Sequence, residues 1–117
     1  MTERLIDYAA LEAAAPVIRG AAHPMRLRIL DFLHRAARPR SVADIVLAAG
    51  AAPSAVSQQL RILKDLGLLS CRRSGHHVLY SISNPRIIPL LSCIEADCAE
   101  DPRPAGASSP FTEENQR

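Results

Sequence analysis

The sequence is poor in aromatic residues and has no long apolar run. Tryptophan is absent and aromatics make up only 3% of 117 residues, which argues against single-strand nucleic-acid binders that stack bases on aromatic rings. No apolar run reaches the roughly 20 residues that a membrane-spanning helix needs, and no charged-then-apolar leader opens the sequence. We therefore predict a cytoplasmic protein with no membrane partner, whose core consists of Leu, Ile, Val and Ala.

Motifs of the common enzyme classes are also missing. There is no Gly-rich phosphate loop, no His-Glu-x-x-His and no nucleophile elbow. A Cys–His nucleophilic pair is conceivable because the chain has three cysteines and four histidines, but we predict that the protein is not an enzyme. An odd number of cysteines without an export signal indicates reduced thiols and not a disulfide framework.

Hydrophobic spacing divides residues 1–100 into five helices and one hairpin in a single domain. Leu, Ile and Val recur at helical spacing, and Pro24, Ser41, Gly50 and Gly67 mark helix ends. The first four helices are predicted over residues 5–19, 24–36, 41–50 and 54–66. The last helix is predicted from Pro85.

A change to a period of two follows the fourth helix. Val78, Tyr80 and Ile82 alternate with their neighbours, and a Ser-Gly pair precedes them, which predicts a hairpin. His76 and His77 are expected to be adjacent on one strand and to face opposite sides. Residues 101–117 are rich in Pro, Gly, Ser and charge, and we predict a disordered tail there.

The fourth helix has an unusual polar side. At about 100° per residue, Val56, Leu60, Leu63 and Leu66 gather on one flank of SAVSQQLRILKDL, and hydroxyl, amide and cationic groups gather opposite. Such groups read base edges in the major groove. The candidate DNA-binding residues of this helix are Ser54, Ser57, Gln58, Arg61 and Lys64.

The hairpin that follows adds basic residues to this polar side. Its candidate contacts to phosphates or the minor groove are Arg72, Arg73, His76 and His77. Helix, short turn, helix and basic hairpin is the plan of a winged helix-turn-helix, mainly α with about five helices and a two-stranded wing. A small helical bundle with an ordinary polar face, or a winged helix that binds proteins, is the alternative.

Two segments, in this order along the chain, resemble the ArsR/SmtB family of bacterial repressors: HPMRLRILDFL, and APSAVSQQLRILKDLGLLSCRRSGHHVLYSI. The resemblance runs from about His23 to Ile82. It implies a homodimer joined by the first and last helices, which binds double-stranded operator DNA and is released by an inducer, often a metal or metalloid ion. Gln59 replaces the family's usual His, and Ala52 replaces a common Ser cap.

The sensing sites known in that family are absent from this sequence. The first helix of the DNA-binding pair, SVADIVL, has no Cys-x-Cys, and the last helix has no His. For Arg26 and Arg28 we predict intramolecular ion pairs, in preference to DNA contacts.

Cys93 and Cys98, with Cys71 as a possible third, are the candidate sensing residues. Five positions of a regular helix turn about 500°, so Cys93 and Cys98 share one ion only if the helix unwinds or if another protomer contributes. We expect no required cofactor. Three hypotheses remain for these cysteines. The protein is released from its operator by trivalent arsenic, antimony or another soft metal, or by thiol oxidation or polysulfide, or the cysteines have no sensing role.

Overall fold

The computed structural model describes residues 4–100, and side chains up to residue 97. The predicted tail, residues 101–117, lies outside the described residues. Five α-helices and three β-strands follow one another in the order α1 Tyr8–Ala21, α2 Pro24–Ala36, β1 Arg40–Ser41, α3 Val42–Ala49, α4 Pro53–Asp65, β2 Leu69–Ser74, β3 His77–Ile82 and α5 Ile87–Glu100. The predicted winged helix-turn-helix is confirmed.

The core lies where α2, α3 and α4 meet the base of the wing. Each helix contributes branched aliphatic residues at helical spacing, and no polar side chain is buried among the described residues. The fully buried large residues are Ile29, Leu30, Ile45, Val56, Leu60, Leu63, Leu68 and Ile87. This core holds α3 and α4 in a fixed relation, as a helix-turn-helix requires.

The wing has three strands and not the predicted two. Its order is β1-β3-β2 and both pairs are antiparallel, with Cys71 opposite Tyr80. The additional strand, β1, pairs Arg40 with Tyr80 and Ser41 with Leu79. A two-residue strand carries no period in sequence, because only its pairing with β3 defines it.

The predicted boundaries of α1 and α5 were also wrong. Helix α1 continues through Gly20 to Ala21, and both residues are buried. A Cβ atom on Gly20 would lie 2.6 Å from Leu66 Cδ1, so glycine here permits close packing and does not end the helix. Helix α5 begins at Ile87, two residues after the predicted start at Pro85.

Candidate nucleic-acid interface

Helix α4 is anchored by one apolar flank. Val56, Leu60 and Leu63 are almost completely buried, as the helical spacing predicted. Leu66 does not continue this buried flank, since 45% of it is exposed. It is the residue after the last turn, and its side chain lies over Gly20 at the edge of the core. The buried flank therefore fixes which side of α4 faces outward.

The outward side carries the polar residues that the sequence singled out. Ser54, Ser57, Gln58 and Arg61 are exposed and together line a surface cleft of about 450 Å³. Lys64 is exposed one turn further along. We call Ser54, Ser57, Gln58, Arg61 and Lys64 the polar face of α4. Its hydroxyl, amide and guanidinium groups have the donors and acceptors needed to bind base edges and phosphates.

The two helices of the helix-turn-helix start differently. Ser41 precedes α3, and its hydroxyl accepts a hydrogen bond from the Asp44 backbone N–H at 3.2 Å. Ala52 precedes α4 and has no side chain to satisfy that helix's first N–H groups. Pro53 at the first turn has no N–H to satisfy. The N-terminus of α4 thus keeps free donors beside Ser54.

The Arg40 guanidinium joins the base of the wing to α3. Its Nε lies 3.0 Å from Asp44 Oδ2, and its guanidinium carbon lies 5.2 Å from the centre of the Phe32 ring. The hydrogen bond from Arg40 is the main cause that lowers the pKa of Asp44 below its ordinary value. Strand β1 is therefore tied to α3 by the ion pair and to α2 by the contact with Phe32.

The hairpin places its basic residues in the solvent. Arg72 and Arg73 are exposed on β2, opposite Leu79 and Val78 of β3. His76 lies in the turn and only His77 begins β3, so the prediction that both lie on one strand was wrong. Gly75 supplies the positive φ of 64° that the turn requires. We call Arg72, Arg73, His76 and His77 the wing tip.

Tyr80 and Cys71 lie at the junction of the wing and α4. Burial raises the pKa of the Tyr80 phenol, and the neighbouring Cys71 thiol acts in the same direction. The charges of Lys64 and Arg61 act in the opposite direction. Cys71 is half-buried and lies on β2, opposite Tyr80 of β3.

Arg26 and Arg28 bind inside the molecule, but not as the predicted ion pairs. Arg26 Nε donates to Gln59 Oε1 at 2.7 Å and its Nη1 donates to the Gly20 carbonyl at 2.9 Å. Arg28 Nη1 donates to the Ala49 carbonyl at 3.4 Å. Gln59 is half-buried and faces α2, on the side of α4 away from the polar face. No local pattern in the sequence predicts the Arg26 contacts, because they join three separate helices.

A second exposed surface is apolar. Helix α1 packs against α5, and large side chains before and along α1 remain exposed, together with one on α5. We call this the α1–α5 surface, and its exposed residues are Leu5, Ile6, Tyr8, Leu11, Ile18 and Ile94. The remaining exposed leucine outside this surface and α4 is Leu47 on α3. Exposed apolar side chains gathered on two packed helices are typical of a protein–protein interface.

The cysteines are spread over two elements. Cys93 is exposed on α5, and Cys71 lies on β2. The side chain of Cys98 lies outside the described residues, but α5 is one continuous helix through that position. The unwinding that a shared ion within one protomer requires is therefore not seen. The described residues contain no group of three or more His, Cys, Asp or Glu that could hold a metal ion.

None of the helices within residues 4–100 is both long and apolar enough to span a bilayer.

The family model of the bacterial regulatory proteins of the arsR family matches residues 23–70. Rv0081 of Mycobacterium tuberculosis, an uncharacterized HTH-type transcriptional regulator, is 39% identical over 79 residues, which span 67% of this chain and 68% of that relative. The chain belongs to the ArsR family. The predicted family is thereby confirmed, and with it the general class of DNA-binding transcriptional regulators.

Solved structures of regulators have the same fold. The crystal structure of the AntR antimony-specific transcriptional repressor is 29% identical, with a TM-score of 0.72 and coverage of 86% of this chain and 92% of that one. The solution structure of the homodimeric winged helix-turn-helix domain of Mb0332 from Mycobacterium bovis is 28% identical, with a TM-score of 0.65 and coverage of 93% and 100%.

Proposed function

We propose that this ArsR-family protein is a homodimeric repressor that binds double-stranded operator DNA through the polar face of α4 and the wing tip. The observation that carries this proposal is the exposed polar face of α4, on which Ser54, Ser57, Gln58 and Arg61 lie side by side. These residues lie on the helix that enters the major groove in helix-turn-helix proteins. The bases of one half-site are then read by Gln58 and Arg61, and phosphates are bound by Arg72 and Arg73.

DNA binding is tested by titrating a fluorescent duplex of the gene's own upstream region with the reduced protein. The expected result is tight binding that weakens steeply with salt, because neutralised phosphates release counterions. A scrambled duplex of the same length is the control for sequence specificity. Absence of binding at low salt would overturn the proposal for that region and favour a winged helix that binds proteins.

Homodimerisation is proposed to use the α1–α5 surface. The support is its exposed apolar character, together with the homodimeric state of the Mb0332 domain. A two-fold axis through this surface presents two copies of α4 to successive half-sites of a palindromic operator. Sedimentation equilibrium at micromolar concentration is expected to give the mass of a dimer, and a monomer at all concentrations would refute this arrangement.

The inducer is proposed to be trivalent arsenic, antimony or another soft metal ion held by Cys93 and Cys98. The support is the thiol chemistry of these residues, which suits soft ions, and the likeness to an antimony-specific repressor. Because α5 is a continuous helix, positions 93 and 98 fall on different sides of it, and we place the site between the protomers. Cys71 lies at the wing and is given a packing role.

The inducer is tested on the protein–duplex complex. Trivalent antimony or arsenic is expected to release the duplex, and Cys93→Ser and Cys98→Ser are each expected to abolish release without changing DNA affinity. Cys71→Ser serves as the matched control and should still respond. Release by polysulfide alone would replace the metalloid with a thiol-oxidation signal, and no release by either would leave the cysteines without a sensing role.

A further inference from the structure

The end of α1 is held by a side chain from α2. The last four carbonyl groups of a helix have no partner within it. At the end of α1, the Arg19 carbonyl accepts from the Ala22 N–H and the Ala21 carbonyl from the His23 N–H. The Gly20 carbonyl accepts from Arg26 Nη1 at 2.9 Å. The guanidinium charge also suits the negative end of the helix dipole.

The same guanidinium reaches the DNA-reading helix. Arg26 Nε lies 2.7 Å from Gln59 Oε1, which belongs to α4. No carboxylate within residues 4–97 lies in ion-pair distance of Arg26, so its donors are directed at these two acceptors. The planar guanidinium holds its donors in a fixed fork. Arg26 therefore links the end of α1 to α4 through one rigid group.

A second contact joins the same two helices. The Leu66 side chain packs on the Cα face of Gly20, where a Cβ atom would approach Leu66 Cδ1 to 2.6 Å. Gln59 and Leu66 are seven positions apart, which places them on the same side, about two helical turns from each other. The end of α1 thus meets α4 through two contacts around Gly20, the hydrogen bonds of Arg26 and the packing of Leu66.

We propose that Arg26 is a positioning residue that sets the spacing of the operator half-sites. This inference rests on the proposed function, because α1 belongs to the surface assigned to dimerisation and α4 to the DNA interface. In a symmetric dimer the separation of the two α4 helices follows from the α1–α4 geometry. Half-sites are spaced by that separation, normally one helical turn or about 10 base pairs.

The experiment measures preference for spacing and not affinity alone. The tightest-binding upstream duplex is remade with one or two base pairs inserted or removed at its centre, and each is titrated by fluorescence anisotropy. The full-length wild-type protein is expected to prefer the native spacing by about 50-fold. Arg26→Met and Gln59→Ala should reduce this preference to about fivefold, within the usual range of coupling between sites. Arg26→Lys should resemble them, because an ammonium is a point charge that cannot reproduce the fork.

Arg28→Met is the matched control. It removes the same charge from the same helix, but Arg28 donates to Ala49 of α3 and makes no link to α1. Its spacing preference should equal that of the wild type. Melting temperature and sedimentation identify variants that are folded and dimeric. If Arg26→Met does not fold, Gln59→Ala and Arg26→Lys decide the question.

An unchanged spacing preference in folded, dimeric Arg26→Met, or in Gln59→Ala and Arg26→Lys, would overturn this inference and leave the proposed function intact. A uniform loss of affinity at every spacing would have the same meaning, because it would indicate a structural role only. Failure of the wild type to bind any upstream duplex would overturn the proposed function, and this inference with it.

Discussion

The polar face of α4 and the α1–α5 surface are both exposed, but they expose opposite chemistry. The first carries hydroxyl, amide and cationic groups, and the second carries Leu11, Ile18 and other large apolar side chains. Polar groups are stable in water without a partner, whereas apolar area costs about 25 cal/mol per Å² when it stays exposed. The comparison teaches that the first surface is suited to a polar ligand, while burial of the second against a partner would be favourable.

The largest expected effect comes from placing charge on the apolar surface. Leu11 and Ile18 are seven positions apart on α1, hence on one side of the helix, and are 43% and 53% exposed. Leu11→Asp with Ile18→Asp should dissociate the dimer, since symmetry places the charges in the interface twice. Operator affinity should fall at least about 100-fold as bivalent binding is lost.

Sedimentation equilibrium and duplex titration measure the two effects. Leu47→Asp is the control, because Leu47 is 82% exposed but lies on α3, outside the α1–α5 surface. This variant should remain a dimer. If Leu47→Asp dissociated the dimer as fully as the double variant, the α1–α5 surface would not be the interface.

The second prediction concerns the polar face. Gln58→Ala and Arg61→Ala should each weaken operator binding by about 1–3 kcal/mol if each residue makes a bidentate contact to a base. Binding to a scrambled duplex should change little for Gln58→Ala. For Arg61→Ala, the dependence of log binding constant on log salt concentration distinguishes a base contact from a phosphate contact. Loss of a phosphate contact lowers the magnitude of this slope by about one and weakens binding to all sequences equally.

Arg35→Ala is the matched control for Arg61→Ala. Arg35 is also an exposed arginine, but it pairs with Asp31 at 2.9 Å and with Glu95 at 3.0 Å, far from α4 in sequence and on the α2–α5 side. Its loss should leave DNA affinity and salt slope unchanged. Equal losses from Arg35→Ala and Arg61→Ala would mean that only net charge matters, and would remove base reading from the proposed role of Arg61.

The sequence predicted features that depend on nearby residues. The helical spacing in α4, the cap by Ser41 and the glycine turn of the wing each involve residues within a few positions of one another, so their signals are visible in a single segment. The face of α4 that is exposed followed from the same spacing, and the sequence thereby indicated which residues form the candidate site.

Features that depend on distant packing were missed. Strand β1 exists because Arg40 and Ser41 pair with Tyr80 and Leu79. A strand of two residues is too short to show a sequence pattern that would predict this pairing. Gly20 resembles a helix stop in sequence, yet its role is to let Leu66 approach α1. Because close approach is a property of two segments together, no local rule separates it from a turn.

A third prediction uses the cap that α4 lacks. Ala52→Ser should stabilise the protein by about 1 kcal/mol, since Ala52 already has the extended backbone of a cap residue (φ −62°, ψ 144°) and a serine oxygen would accept from a first-turn N–H. Denaturant unfolding measures the change. Ala55→Ser inside the same helix is the control and should be neutral or slightly destabilising. A gain no larger than that of the control would show that the free donors of α4 are already satisfied by water.

The smallest expected effect is the pH dependence of the contact between β1 and α3. The Arg40 guanidinium lowers the pKa of Asp44 below its ordinary value of 3.8, so the folded state favours the charged carboxylate. This stabilisation is present above pH 3.8 and is lost as the pH falls through the lower pKa of the folded state. Asp44→Asn should therefore be less stable than the wild type at neutral pH, and the difference should shrink on acidification.

Urea unfolding between pH 7 and pH 3 tests this, with Asp65→Asn as the control. Asp65 is an exposed carboxylate at the end of α4, with no ion pair among the side chains that the structure describes. The difference in unfolding free energy between Asp65→Asn and the wild type should not shrink on acidification as it does for Asp44→Asn. A pH-independent loss in Asp44→Asn would show that the charge of Asp44 is not the cause, because Asn keeps the backbone N–H that donates to Ser41, and would leave the wing and α3 joined by backbone pairing and packing alone.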